Sequence, residues 1–200
     1  MVKDIIEKTI MDSENFSMRS VMPALRLLSD GALEDVLNTN GCRYYQFLPC
    51  LIDNLKPTQI VELGGAMGVS AIMMCQAKWQ DFKLYSITLA EGGQEFSFIA
   101  DNYPNLTKIV GDDLDLTNWP KDLDLSKTDL WFIDTDHTEA QLRAELELYT
   151  PFFKKGAIVL FDDIHLLPDM DRVWDDLKKK YDFFDCTDPL HYSGFGAIQI

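Results

Sequence analysis

From residue 58 onward, short β-rich runs alternate with helix-forming segments, and this alternation limits the fold more than any other feature of the chain. The β-rich runs are "QIVEL", "KLYSITL", "LTKIVG", "DLWFID" and "AIVLFD". Among and after them come "SAIMMCQAKW", "QEFSFIADNY", "TEAQLRAELELYTPFF" and "MDRVWDDLKKKY", which are helical in character. Strands that alternate with helices build βαβ units, and these make a parallel sheet covered on both faces. The tail, "YDFFDCTD" and "GFGAIQI", predicts two more strands joined by a short loop, an antiparallel hairpin at the sheet edge. Residues 1–57 read as a helical segment that packs on the core, with a break at Asp30–Gly31. The predicted class is α/β: one structural domain with a doubly wound, mostly parallel, seven-stranded sheet over 58–200 and a helical N-terminal extension.

Charge narrows the partners. The chain carries 33 acids against 18 bases, a net charge of −15. Such a surface repels phosphates and anionic lipid, which argues against nucleic acid and membrane partners. The longest basic run, Lys178–Lys180, follows two aspartates on a predicted helix and reads as a solvated face. The four cysteines lack paired or CxxC spacing, as expected of reduced, buried thiols in a cytoplasmic protein. The first residues, "MVKDIIEKTIMDSE", break their apolar positions with charges, unlike a signal peptide. No apolar run approaches the roughly 20 residues of a membrane span.

In an open parallel sheet, ligands bind outside the carboxyl ends of the strands. Those ends fall at Glu62–Gly64, Thr88, Gly111–Asp112, Asp134 and Asp162–Asp163, and acids or glycines gather at four of the five. Two of the three histidines, His137 and His165, lie within three residues of such an end. The fourth and fifth strands should be neighbours, so Asp134, Asp162 and Asp163 should converge. Three carboxylates at one spot repel one another unless a cation neutralises them, and hard oxygen donors suit Mg²⁺.

The first strand runs through "ELGGAMGVS" into a helix. Glycines allow a tight turn there, and the helix start offers free N–H groups. A dinucleotide fingerprint fails because Ala66 takes its second glycine position, and a P-loop fails because no Lys-Ser/Thr follows Gly68. Glu62, Gly64, Gly68 and Ser70 together resemble motif I of the class I S-adenosylmethionine-dependent methyltransferases, E-x-G-x-x-x-G-x-S. That resemblance implies a Rossmann-like fold in which Gly64, Gly65, Ala66, Gly68 and Ser70 lie beside the amino acid part of S-adenosylmethionine, with Glu62 ordering the loop. It also implies an acid for the ribose at the end of the second strand. Thr88 departs from this, leaving Glu91 either to take the role or to stand in solvent. Asp112 would approach the adenine, with Asp113 and Asp115 as solvated loop acids.

"FIDTDH" and "FDDIH" resemble the metal-dependent small-molecule O-methyltransferases, a group that includes catechol O-methyltransferase-like enzymes and relatives acting on sugars and natural products. By that resemblance Asp134, Asp162 and Asp163 hold the metal, Asp134 also borders the cofactor, and the acceptor is a small-molecule hydroxyl. The family's catalytic lysine position is His137 here. An imidazole can take a proton near neutrality, or His137 is merely a solvent-facing residue at a helix start. Asp136 reads first as the helix cap, three residues before Glu139. His165 is read as a ligand, a supporting group or a substrate contact, and His191 as exposed. Tyr44, Tyr45 and Phe47 line the acceptor pocket or belong to the core. Other readings stay open: a catalytically silent or non-metal methyltransferase-fold binder, a metal-dependent hydrolase, a nicotinamide-dependent oxidoreductase, and self-association as a homo-oligomer.

Overall fold

A computed structural model describes residues 2–20, 22–25, 43–89 and 101–200. The Asp30–Gly31 break, Cys42, Glu91 and most of the predicted segment "QEFSFIADNY" lie outside the described residues. Seven strands form one sheet: β1 (Gln59–Leu63), β2 (Lys83–Thr88), β3 (Leu106–Val110), β4 (Leu130–Ile133), β5 (Ile158–Asp162), β6 (Asp182–Asp185) and β7 (Phe195–Gln199). Their order is β3-β2-β1-β4-β5-β7-β6. Pairs among the first five are parallel, and β7 is antiparallel to both β5 and β6. The expected C-terminal hairpin is therefore present, with β7 inside and β6 at the edge. Its connection is more than the short loop predicted, since it includes a helical turn, Thr187–Leu190.

Alternation along the strands sorts the core onto the two faces. Ile60, Leu84, Leu130, Phe132 and Leu160 pack on one side with Val2 and Ile6 of α1 (Val2–Ser13) and Phe47, Leu48 and Leu51 of α2 (Tyr44–Leu55). Ala71 and Met74 of the short helix α3 (Val69–Met74) join them. Val61, Ile87, Trp131, Ile133, Val159 and Phe161 face the other way, against α4 (Glu139–Tyr149) and α5 (Pro168–Lys178). No described helix is long and apolar enough to cross a membrane.

Two local expectations are corrected. The N-cap of α4 is Thr138, whose hydroxyl accepts from the Gln141 N–H at 3.3 Å; Asp136 is not the cap. Thr138 has the extended backbone (φ −120°, ψ 148°) that lets a side chain turn back over the first helical turn. Asp113 is not solvated: it is buried, with the Gln141 amide 3.4 Å away.

Candidate active site

Strand order reverses between β1 and β4, which opens the crevice of a doubly wound sheet at their carboxyl ends. Asp134 N–H donates to the Leu63 carbonyl at 2.9 Å, so the segment after β4 stays zipped to the glycine loop after β1. The loop turns sharply. Gly64 and Gly65 N–H groups both donate to the Ile87 carbonyl at 3.0 Å, and Gly64 and Gly68 have φ of +92° and +83°. At Gly64 a Cβ would stand 1.7 Å from the Asp134 carbonyl oxygen, so only glycine fits. Ala66 is exposed at the loop tip with φ +39°.

Glu62 is fully buried and accepts hydrogen bonds from the Ser70 hydroxyl at the start of α3 and from Ser86, its register partner on β2. Burial pushes its carboxyl above the ordinary range, against the pull of the two hydroxyls. Glu62 thereby ties the start of α3 to β2. Ser70 thus turns inward and gives its proton to Glu62. Thr88 is buried at the end of β2, and Asp112 is exposed after β3, where it accepts from the Leu114 N–H at 2.9 Å.

Beyond β4 and β5 the expected acids gather with two histidines. His137 lies between two of them: Nδ1 is 2.5 Å from Asp163 Oδ2, and Nε2 is 3.2 Å from Asp134 Oδ1. His191 was expected to be exposed, yet it is 7% exposed, with Nδ1 3.1 Å from Asp162 Oδ1 and 3.4 Å from Asp163 Oδ1. The chain returning toward β7 carries it inward. Gly194, at φ +107°, passes so close to the Ile164–His165 backbone that a Cβ would meet the His165 nitrogen at 2.6 Å. The Ser193 hydroxyl donates to Asp163, which itself sits at φ +55°. His165 takes no part: its ring nitrogens face Asp171 at 2.5 Å and Asp185 at 2.9 Å.

The electrostatics follow from this crowding. Burial, then Asp162, Glu62 and Asp163, hold the Asp134 carboxyl well above its ordinary value. Burial also raises Asp162, with His191 opposing it. At Asp163 burial acts the same way, but hydrogen bonds from His137 and Ser193 prevail and the carboxyl is lowered. His137 is raised, chiefly by Asp163. Asp163 thus favours the protonated form of His137, and His191 brings a second imidazole nitrogen up to Asp162. The buried Asp162 Oδ1 receives no hydrogen bond of acceptable geometry among the described residues. The donor atoms of Asp162, Asp163 and His191 lie within 4.8 Å of one another, a spacing fit for a metal ion; Asp134 stands beside this trio, on the far side of His137. Tyr44 is core, packed on Phe132 and Phe195, and its ring also meets that of His191 edge-on at 5.1 Å. Phe47 is core as well, and Tyr45 is half-buried.

No curated protein is similar in sequence. Solved structures share the fold at low identity. A candidate caffeoyl-CoA O-methyltransferase from Staphylococcus aureus matches at 15% identity and a TM-score of 0.64, over 96% of each chain. A methyltransferase from Geobacter sulfurreducens gives 16% and 0.65, over 89% of this chain and 90% of that one. An SAH-bound methyltransferase from Podospora anserina gives 15% and 0.61, over 78% and 77%. A family profile described as a methyltransferase domain matches residues 61–164, which runs from β1 through the glycine loop to the segment just past Asp163. The loop geometry at Gly64, the strand order and this match agree, and the chain belongs to that methyltransferase domain family.

Proposed function

We propose that the protein transfers a methyl group from S-adenosylmethionine to a hydroxyl of a small molecule, with the help of a divalent cation. The observation that carries this reading is the adjacency of two features at one crevice. The glycine loop after β1 lies against the Asp134 backbone, and the Asp134 side chain in turn shares His137 with Asp163 after β5. The S-adenosylhomocysteine in the Podospora relative supports the choice of cofactor. The orphaned Asp162 oxygen among crowded acids supports a cation.

S-Adenosylmethionine would supply an electrophilic sulfonium methyl, and a bound Mg²⁺ would supply Lewis acidity toward the acceptor hydroxyl. The chain's own residues do the rest. Gly64, Gly65, Ala66 and Gly68 shape the cofactor cradle, and Glu62 fixes it through Ser70 and Ser86. Asp162 and Asp163 would hold the cation with Asp134 beside them. His137, 22% exposed, is the base of this reading: the neutral imidazole would take the proton that leaves the hydroxyl, and Asp163 and Asp134 would stabilise the imidazolium that results. Asp112 remains the adenine-side contact and Glu91 the ribose contact of this reading. The protein mainly orients the reactants and excludes water. An acceptor hydroxyl and a cytoplasmic setting complete the reading.

Calorimetric titration with S-adenosylhomocysteine, with and without Mg²⁺, tests it. Micromolar binding is expected. No heat in either condition sinks the cofactor assignment. Asp162→Ala should abolish metal-dependent turnover while leaving S-adenosylhomocysteine affinity within a few-fold; surviving turnover overturns the metal role.

A further inference from the structure

His191 is the residue of the acidic cluster that no strand-end motif announces, and its position changes the chemistry of the site. Its Nδ1 stands 3.1 Å and 3.4 Å from one oxygen each of Asp162 and Asp163. Adjacent donors of an octahedral ion bonded at about 2.1 Å are about 3.0 Å apart. The two His191 distances are close to that value, and the three donor atoms lie within 4.8 Å of one another. Asp162 is 5% exposed, and its Oδ1, the atom nearest His191, has no hydrogen bond of acceptable geometry among the described residues. The Ser193 hydroxyl, 3.2 Å from His191 Nδ1, gives its single proton to Asp163, so it cannot also donate to the imidazole. Tyr44 packs edge-on against the ring and fixes its plane.

We propose that His191 is a metal ligand alongside Asp162 and Asp163, and that its nitrogen gives Mn²⁺ or Fe²⁺ the advantage over Mg²⁺ at this site. This rests on the cation-dependent reading above and refines it. Mg²⁺ demands oxygen donors, whereas imidazole suits first-row transition ions, whose affinities rise along the series from Mn²⁺. His137 is the competing nitrogen, since its Nδ1 is 2.5 Å from Asp163 Oδ2. His165 is held on both ring nitrogens by Asp171 and Asp185.

Mn²⁺ is the probe, because its bound form reports a nitrogen ligand directly through ¹⁴N modulation of the electron spin echo. The expected result is Mn²⁺ bound at least about tenfold more tightly than Mg²⁺, with a ¹⁴N coupling that His137→Ala keeps and His191→Ala loses. His191→Ala should also weaken Mn²⁺ about tenfold or more while changing Mg²⁺ less. Because His191 is buried, His191→Asn serves as a second variant, with circular dichroism as the folding control. If neither folds, His137→Ala protein labelled with ¹⁵N-histidine answers the same question, since only His165 and His191 then remain of the three histidines. A shift from ¹⁴N to ¹⁵N coupling supports the proposal. Bound Mn²⁺ without histidine coupling, or coupling that persists in a folded His191 variant, overturns it and leaves the cation-dependent reading standing. Absence of Mn²⁺ binding overturns both.

Discussion

Gly64 and Glu145 show how single positions govern this protein. At Gly64 the backbone of the next strand occupies the space a side chain would need, and φ is +92°. Gly64→Ala should cost at least about 2 kcal/mol in urea denaturation and weaken cofactor binding with it, since relief requires parting the loop from Asp134. Glu145 lies fully buried on α4 beside Asp113, with Oε1 bonded to Thr135 and Gln141 and Oε2 left without a partner among the described residues. Burial pushes its carboxyl up to about 8. The folded chain thus keeps a proton that the unfolded chain releases near pH 4.5, the ordinary value. Stability from this group is therefore present at low pH and is lost as pH rises toward 8. Glu145→Gln should flatten that loss and stabilise the protein at pH 8 by on the order of 2 kcal/mol, less than full linkage because Asp113 shares the proton. Equal pH slopes for variant and wild type would refute this.

At the scale of elements, helix α4 illustrates how starts and faces are set. Thr138 caps it, so Thr138→Ala should cost about 1 kcal/mol, while Asp136→Ala should stay within about 0.5 kcal/mol. Chemical denaturation of the two variants side by side decides between the caps. The exposed face of α4 pairs Glu139 with Arg143 at 2.8 Å, as the sequence spacing predicts. Arg143 then reaches Asp176 of α5 at 2.9 Å. Exposed pairs of this kind contribute little, and the buried faces of α4 and α5 hold the layer in place. Lys178 and Lys179 likewise pair with Asp175 and Asp176, as the solvated face predicted for the basic run.

For the whole molecule, the crevice belongs to the folded state alone, because the glycine loop, β2 and β4 must meet to make it. A ligand that binds there must raise the melting temperature. S-Adenosylhomocysteine at a hundred times its Kd should add about 2.7 kcal/mol, or roughly 5–10 °C for a chain of this size. A melting temperature unmoved at that concentration would mean that the folded state does not bind the ligand in preference to the unfolded chain, which removes the cofactor assignment.

The strand alternation, the glycine turn and the carboxylates closing β4 and β5 were all legible along the chain. Each is written in local periodicity: an apolar run forces burial, and an acid or glycine that closes it must sit at the strand's carboxyl end. The parallel order then brings Asp134, Asp162 and Asp163 near one another without further information. Thr138, rather than Asp136, as cap was beyond that reading, since both residues satisfy the cap preference and only backbone angles separate them. The Asp113–Glu145 pair and the inward turn of His191 were equally hidden. Both depend on segments far apart in sequence packing together: a loop after β3 against α4, and the chain entering β7 against the Ile164–His165 backbone. Local pattern places a residue on a strand or at its end; where a loop delivers its side chain depends on what else fills the same space, and that is decided only when the chain has packed.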